Sequence, residues 1–310
     1  MKLFLNITQP KIAIFIETEI WPNIYYYCQQ RKIPLIIANA RLSEKSAKGY
    51  RWFKLLFKQI LPQVNAILAQ ANGDARRFIM LGAKPEQVAV CGNIKFDSQL
   101  PEGLADKSVL LTRSWGMDRP VFMAASTHPG EDEQIIAAFK IIKQSFPDCL
   151  LLLIPRHPER SQSLLSLCQA HALTACLRSE ESLFSTSINV IVGDTMGEMM
   201  MFYYCCTIAF VGGSLITHGG QNVLEPAAVA KPILSGPNVF NFADITREMI
   251  QNRGMKFVNN SEELAESVID LLNHPDKAKL IGENAKTVVE NNRGALEKQL
   301  RVIEKYINVS

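Results

Sequence analysis

The feature that most constrains this chain is the regular alternation of short apolar runs with helix-like segments along nearly its whole length. Each run has the length of a strand, and continuous apolar runs are typical of strands that helices bury on both faces. The pattern therefore predicts an α/β protein with parallel sheets covered by helices on both sides. The predicted strands are residues 12–16, 34–38, 66–69, 88–91, 121–125, 150–154, 190–192, 208–211 and 233–234.

Length and composition predict two domains. The chain has 310 residues, of which 47% are hydrophobic and 20% charged, so it can bury more than one core. Residues 101–118 are polar and contain glycine, so we predict a linker there between a domain at residues 1–100 and a domain at residues 119–310. The first domain has few predicted strands for an open sheet, and we expect it to be incomplete. Residues 261–307 are predicted to be helical throughout and to close the second domain.

Charge and cysteine usage exclude several classes of protein. A net charge of +3 is too small to indicate a nucleic-acid partner. Seven cysteines without a Cys-x-x-Cys pair, most of them inside apolar runs, indicate buried thiols in the reducing cytosol. No apolar stretch approaches the roughly 18 residues of a membrane span, so no transmembrane segment is predicted. The basic, aromatic stretch 51–58 is predicted to be a helix with one core face rather than a membrane anchor.

Two glycine-bearing turns follow predicted strands and begin helices. The first is Gly-Asp-Thr-Met-Gly-Glu-Met at residues 193–199, and the second runs from Gly212 to Gly-Gln-Asn-Val-Leu-Glu-Pro at residues 220–226. Glycine lets a ligand approach the backbone closely, and the N–H groups of a helix start attract phosphate. Glu225 lies one turn into its helix and can accept hydrogen bonds from ribose hydroxyls. The turns therefore predict a nucleotide-sugar site.

Charged residues also follow strands of the first domain. Glu17 and Glu19 come directly after the first strand, at the edge of the sheet where parallel sheets bind ligands. The alternative interpretation is that these acids only stabilise the N-terminus of a helix. Arg41 and Lys95 follow later strands, and each is either a contact for an anionic substrate or a solvated surface residue. Spacing alone does not decide between these interpretations.

The second domain adds Ser-Thr-His-Pro-Gly-Glu-Asp at residues 126–132 and Pro-Arg-His-Pro at residues 155–158. The first segment suits a phosphate or carboxylate. Arg156 offers a planar fork to an anion and His157 a hydrogen bond, with helix capping as the alternative role. His128 and His157 have no third ligand at a characteristic spacing, so we predict no metal site. The chain lacks the dinucleotide fingerprint, P-loop and nucleophile-elbow motifs, which argues against dehydrogenases, P-loop NTPases and esterases.

Together these segments resemble the bacterial 3-deoxy-D-manno-octulosonic acid (Kdo) transferases over essentially the whole chain. The resemblance implies a GT-B glycosyltransferase with two Rossmann-like domains facing a cleft. It also implies an inverting, metal-independent transfer of Kdo from CMP-Kdo to a lipid A precursor (lipid IVA), with no cofactor. The segments that carry the resemblance are Glu-Thr-Glu-Ile-Trp-Pro-Asn, Asn-Ala-Arg-Leu-Ser, Gly-Asn-Ile-Lys-Phe-Asp, Ser-Thr-His-Pro-Gly-Glu-Asp, Pro-Arg-His-Pro-Glu-Arg, Gly-Asp-Thr-Met-Gly-Glu-Met and Gly-Gly-Gln-Asn-Val-Leu-Glu-Pro.

The resemblance also implies roles for individual residues. Glu17 and Lys95 match family positions that stabilise charge in the transition state. The family's His-Ala-x-Ser-x-Gly-Glu motif, whose glutamate is the general base, and its N-terminal membrane anchor have no counterpart in this sequence, which is the second reason to expect an incomplete first domain. The residues implied to bind CMP are Pro155, Arg156, Met196, Gly197, Glu198, Asn222, Val223, Leu224 and Glu225.

The family works at the cytoplasmic face of the inner membrane of Gram-negative bacteria, so the resemblance implies peripheral contact with that membrane. One alternative is a catalytically inactive CMP-binding remnant, or the C-terminal part of a split transferase whose separate N-terminal fragment completes the first sheet. Another alternative is a different GT-B enzyme, such as a nucleotide-sugar epimerase or another lipid-linked sugar transferase. A preference for uridine over cytidine would indicate that class.

Overall fold

The computed structural model describes residues 2–50, 54–100, 102–116, 119–181 and 184–307. The chain forms two compact units, one made of Met1–Ser98 with Asn292–Ser310 and the other of Gln99–Asn291. Each unit is an α/β structure around one parallel sheet, as the sequence predicts. Among the described residues, no helix is long and apolar enough to cross a membrane.

Fourteen α-helices and eleven strands alternate along the described residues. The strands are β1 (Ala13–Ile16), β2 (Leu35–Ala40), β3 (Ala66–Ala69), β4 (Val88–Val90), β5 (Val121–Thr127), β6 (Leu150–Pro155), β7 (Ala175–Leu177), β8 (Val190–Val192), β9 (Ile208–Val211), β10 (Ile233–Ser235) and β11 (Met255–Phe257). The helices are α1 (Lys2–Thr8), α2 (Pro22–Gln30), α3 (Glu44–Tyr50), α4 (Lys54–Ile60), α5 (Asn72–Leu81), α6 (Leu104–Trp115), α7 (Asp132–Ser145), α8 (Ser161–Ala170), α9 (Met199–Cys205), α10 (Leu224–Ala228), α11 (Ala243–Gln251), α12 (Ser261–Asn273), α13 (Pro275–Asn291) and α14 (Ala295–Ile307).

The first unit contains a four-stranded sheet in the order β1-β2-β3-β4, which is the predicted number of strands. Successive residues of a strand face opposite sides of the sheet, so both sides carry a core. On one side Ile37 packs in a cluster with Phe78 of α5. On the other side Ile36 and Leu68 pack with Ile303 of α14. The C-terminal helix therefore completes the first unit.

Strand β1 lies at one end of this sheet and is only partly covered. Phe15 packs against Tyr25 with ring centroids 5.0 Å apart. The alternate residues Ile14 and Ile16 are 43% and 55% exposed. One face of the outer strand is thus apolar and open to solvent.

The second unit contains a seven-stranded parallel sheet in the order β11-β10-β9-β5-β6-β8-β7. Phe122 of β5 packs in a cluster with residues of α7, α8 and α12, whereas the next residue, Met123, packs with residues of α6 and α9. Helices therefore cover both faces. After β5 the chain forms β6, β7 and β8 on one side of that strand, and it then returns to form β9 on the other side of β5. The strand order reverses between β5 and β9, which is where open α/β sheets bind ligands.

Two strands of this sheet were not predicted, β7 and β11. Both are only three residues long and lie at the ends of the sheet. Met255–Phe257 also contains an exposed lysine in its centre. The lysine interrupts the apolar run of β11, and β7 is a three-residue apolar run that pattern alone does not distinguish from a buried helical segment.

The division of the chain differs from the predicted one in two places. The segment 101–118, predicted to be a linker, contains α6, which packs on α9 through Leu111 and Trp115; residues 101, 117 and 118 lie outside the described part of the chain. The segment 261–307 is helical, as predicted, but α14 belongs to the first unit rather than to the second. In the stretch 51–58, residues 51–53 lie outside the described part, and α4 buries Phe57, as expected of a core-facing helix.

Candidate functional site

A cavity of about 280 Å³ lies at the carboxyl ends of β5, β6 and β8 in the second unit, beside the reversal of strand order. The loop after β9 passes close to the end of β5, because a Cβ added at Gly212 would lie 2.9 Å from the backbone of residues 126 and 127. Only glycine fits there. The cavity is lined by Ser126, Ile154, Pro155, Arg156, Pro158, Thr195, Met196, Gly197, Met199, Phe202, Gln221, Asn222 and Glu225.

The structure brings most of the sequence-predicted binding residues to this cavity. Three do not line it: Val223 and Leu224 are buried apolar residues, and Glu198 makes contacts within its own turn. The predicted residues that do line the cavity are Pro155, Arg156, Met196, Gly197, Asn222 and Glu225.

Glu225 is held at the cavity by its neighbour Asn222. The Asn222 Nδ2 atom donates to Glu225 Oε1 at 3.2 Å, and Asn222 Oδ1 accepts from the Leu224 backbone N–H at 3.1 Å. Burial raises the pKa of Glu225, while the Asn222 hydrogen bond and the Arg156 charge act in the opposite direction. A half-buried carboxylate with a fixed orientation can accept hydrogen bonds from ligand hydroxyls. The bond to Leu224 also means that this N–H of the short helix α10 is already used.

The turn after β8 is fixed by a different acid. Glu198 accepts hydrogen bonds from the buried Arg178 guanidinium, at 2.9 Å, and from the Thr195 hydroxyl. Gly197 has a φ of +81°, a left-handed conformation that glycine adopts without strain. Met196 is 78% exposed at the cavity. Glu198 therefore shapes the turn, and the groups left to meet a ligand are the Met196 side chain and the backbone.

Glu131 is a buried residue that the sequence did not single out. Its carboxylate accepts hydrogen bonds from the backbone N–H groups of Gly213, Ser214 and Leu215, at 2.7, 3.0 and 3.0 Å. Burial raises the pKa of Glu131, and these N–H bonds partly offset that effect. An internal carboxylate thus occupies the donors of the loop after β9 and fixes that loop beside the cavity.

The rest of the 126–132 segment is also internally bonded. The Thr127 hydroxyl donates to Asp132 Oδ1 at 2.6 Å, and Asp132 forms an ion pair with Arg160. This acid-rich helix start, predicted to suit a phosphate or carboxylate, therefore carries its own charge balance. Ser126, in contrast, lines the cavity and has a φ of +55°, a strained conformation of the kind found at binding sites.

Three histidines lie together beside the cavity. His128 is 5% exposed, and its ring centroid is 3.8 Å from that of His218 and 6.2 Å from that of His157. Its Nε2 atom lies 2.9 Å from Nε2 of Gln221, a cavity residue. Burial, together with the neighbouring histidines and arginines, lowers the pKa of His128 from 6.5 to about 4. The described residues contain no group of three or more His, Cys, Asp or Glu that could hold a metal ion.

In the first unit, the structure brings Glu17 and Lys95 together. Lys95 Nζ lies 2.9 Å from Glu17 Oε1, and both side chains are partly exposed. Glu17 has a φ of +66°, again a strained conformation. Glu19 instead accepts a hydrogen bond from the Trp21 indole at 2.7 Å within the same turn. Glu17 therefore contacts Lys95, the other residue that the family resemblance implies to stabilise charge in the transition state.

Helix α14 fixes the loop that carries Lys95. Asp97 accepts hydrogen bonds from the backbone N–H groups of Gly294 and Leu296, at 2.5 and 2.6 Å. The buried Gln299 accepts from the Asn39 N–H at 2.8 Å and donates to the Gly92 carbonyl at 3.3 Å. The sequence did not reveal these contacts, because they join residues separated by about two hundred positions or more.

Solved structures place this arrangement in a known class. A UDP-N-acetylglucosamine 2-epimerase has a similar fold, with a TM-score of 0.62 over 98% of this chain and 75% of that chain at 14% identity. The C-terminal CMP-Kdo binding domain of WaaA from Acinetobacter baumannii matches 61% of this chain and 99% of that domain, with a TM-score of 0.58 and 29% identity. Two parallel α/β units, with a cavity at the reversal of strand order, define a protein of the GT-B type.

Sequence similarity then gives the family. Residues 1–98 match the family model described as 3-deoxy-D-manno-octulosonic-acid transferase. The 3-deoxy-D-manno-octulosonic acid transferase of Haemophilus influenzae is 39% identical over 305 residues, which are 98% of this chain and 71% of that protein. The chain therefore belongs to the Kdo transferase family of glycosyltransferases, and the resemblance predicted from the motifs is confirmed. It spans between 65% and 72% of the length of seven relatives with that name.

Proposed function

We propose that this protein transfers Kdo from CMP-Kdo to a lipid A precursor, lipid IVA, in the biosynthesis of the lipopolysaccharide core. The observation that carries the proposal is the 39% identity to a Kdo transferase over 98% of the chain. The cavity in the second unit supports it, because it combines a cationic side chain, a half-buried acid and a glycine turn. These are groups that suit a phosphate, a ribose and a base respectively.

The donor nucleotide is assigned to the cavity. Arg156 contacts the phosphate, because its guanidinium offers charge-assisted hydrogen bonds to oxyanions. Glu225, oriented by Asn222, accepts hydrogen bonds from the ribose hydroxyls. The backbone at Met196 and Gly197 reads the cytosine, since the side chain of Glu198 is already bonded within the turn. Pro155 shapes the wall of the site, whereas Val223 and Leu224 are buried apolar residues at the start of α10 that do not line the cavity.

Catalysis is assigned to Glu17 and Lys95. In an inverting transfer, an acceptor hydroxyl attacks the anomeric carbon from the face opposite to CMP, and CMP leaves with its bonding electron pair. The hydroxyl proton passes to a general base, a role that the family resemblance gives to the glutamate of the His-Ala-x-Ser-x-Gly-Glu motif and not to Glu17 or Lys95. Lys95 stabilises the negative charge that develops on the departing phosphate, and Glu17 orients Lys95 through their 2.9 Å contact. No metal and no cofactor take part in this proposal.

The proposed setting is the cytoplasmic face of the inner membrane, with peripheral contact. Exposed apolar side chains of the first unit support membrane contact: Leu3 and Ile7 of α1 are 70% and 73% exposed, and Leu55 of α4 is 81% exposed. Residues of this kind partition into the interfacial region of a bilayer.

The test is the release of CMP from freshly generated CMP-Kdo in the presence and absence of a lipid A precursor. We expect acceptor-dependent release, and a loss of about 10²-fold in Glu17→Ala, because Lys95 loses the carboxylate that orients it. Glu44→Ala, at an exposed acid of the same unit, is the matched control and should not differ from wild type. Binding of CMP without any release would favour a donor-binding part of a split transferase, and a preference for UMP would favour a different GT-B enzyme.

A further inference from the structure

The histidine cluster, defined as His128, His157 and His218, has no role in the proposed chemistry. Its centre, His128, is buried, whereas His157 and His218 are exposed to solvent on the two sides of it. The rings of His128 and His218 are tilted by 33° with their centroids 3.8 Å apart, and those of His128 and His157 meet edge to face at 6.2 Å. Three imidazole rings thus lie within one small region.

Charged groups of both signs surround the cluster. Two arginines, Arg156 and Arg160, add to the electrostatic effect of the other histidines on His128. The nearest buried acids are committed elsewhere: Asp132 binds Arg160, and Glu131 accepts three backbone N–H groups. Two further acids are nearby: Glu159, a 76% exposed side chain that lies 3.7 Å from the His157 ring, and Glu225 of the cavity. Because Arg160 is paired with Asp132, Arg156 is the cation of this region that can attract an anion to the cavity beside the cluster.

The cluster is joined to the nucleotide cavity through Gln221. This side chain lines the cavity and lies against His128, with Nε2 atoms 2.9 Å apart. Because burial lowers the pKa of His128 to about 4, its ring is neutral at physiological pH, and its Nε2 atom accepts from the Gln221 amide. Gly213 packs over both side chains, at 3.2 Å from His128 and 3.5 Å from Gln221 measured from a Cβ added there. The link is tightly packed and has a fixed direction.

The donor chemistry requires two anion contacts side by side. In a nucleotide-activated 2-ulosonic acid, the anomeric carbon carries both the phosphate oxygen and the carboxylate. A site for such a donor needs a second group of donors next to the one for phosphate, and neutral or charged imidazoles are suitable donors for a carboxylate. We propose that the histidine cluster, with Gln221, is the subsite for the carboxylate of the sugar acid, next to the nucleotide cavity. This inference rests on the proposed function, since it takes the donor from it.

The experiment compares the affinities of the whole protein for CMP-Kdo, without acceptor, and for CMP. The variants are His157→Phe and His218→Phe, which keep an aromatic ring at exposed positions but remove the ring nitrogens. Loss of a hydrogen bond to a charged group weakens binding by about tenfold or more. We expect each variant to lose about that factor for CMP-Kdo and to keep its affinity for CMP. His171→Phe, at a histidine that follows α8, is the matched control.

The outcomes separate the two proposals. Equal losses for CMP and CMP-Kdo would mean that the cluster binds the phosphate, and no loss for either would mean that it binds no part of the donor; both results overturn the carboxylate subsite. In both cases wild-type binding of CMP-Kdo leaves the proposed function intact. Absence of wild-type binding to CMP-Kdo and to CMP would instead contradict the proposed function itself.

Discussion

At the scale of single residues, the site depends on buried polar groups whose partners are distant in sequence. Glu131 accepts hydrogen bonds from a loop more than eighty residues further along the chain. The sequence pattern indicated Arg156 and Glu225, because their side chains suit a nucleotide, and the family resemblance added Asn222. The sequence did not indicate Glu131 or Gln221, because nothing in the local pattern reveals which N–H groups or imidazoles the fold brings to them.

His128 makes stability depend on pH. Its pKa is lowered from 6.5 to about 4 in the folded protein, so below pH 6.5 the unfolded chain binds a proton that the folded chain does not. The free energy of unfolding should therefore be highest above pH 6.5 and fall by about 2 kcal/mol between pH 7 and pH 5. Thermal melting of wild type and His128→Gln over that range checks this. An identical pH slope in the two proteins would contradict it.

At the scale of elements, the apolar runs predicted the central strands. The outer strands β7 and β11 were missed, because a lysine interrupts β11 and because the three apolar residues of β7 do not by themselves distinguish a strand from a helix. Helix α6 shows a different failure. Its buried residues Ser108, Leu111 and Trp115 recur at helical spacing, so the periodicity was present, but the polar and glycine-bearing flanks favoured a linker. Segment 261–307 was predicted to be helical, but the sheet on which α14 packs was not predicted. The apolar face of a helix does not specify which sheet it covers.

Helix α14 positions Lys95, which gives a prediction for Gln299→Leu. Leucine has a similar volume, but it leaves the buried Asn39 N–H and the Gly92 carbonyl without partners, at a cost of about 1–3 kcal/mol each. We expect a lower melting temperature and a reduced turnover, with the affinity for CMP unchanged because the nucleotide cavity belongs to the second unit. Glu297→Gln, which removes an exposed ion pair of the same helix, is the control. A loss of CMP affinity equal to the loss of turnover would contradict a role confined to Lys95.

At the scale of the whole molecule, all residues of the cavity lie within Gln99–Asn291, a continuous segment with its own sheet and cores. The first unit, in contrast, is assembled from both ends of the chain. The sequence predicted two α/β units, but it did not predict that the C-terminal helix belongs to the first of them. That assignment depends on which core buries Ile303, and the composition of the chain near the unit boundary does not reveal it.

Separating the units should therefore have unequal effects. A polypeptide of residues 99–291 should fold cooperatively and bind CMP with the affinity of the whole protein, as measured by calorimetry. A polypeptide of residues 1–98 should aggregate, because Ile36, Leu68 and Cys91 lose the apolar cover of α14. Addition of the α14 segment as a peptide should restore solubility. A monomeric, cooperatively folded 1–98 polypeptide would show that the C-terminal helix is not needed.

The return of the chain to its first sheet also sets an order in time. During synthesis the strands of the first unit leave the ribosome before segment 99–291, and the helix that covers one face of them follows that segment. At about 5–20 residues per second, the intervening segment 99–291 keeps that face bare for roughly 10–40 s. Over this interval the nascent chain exposes an apolar sheet face to chaperones and to other nascent chains, and only a chain translated through α14 can bury it.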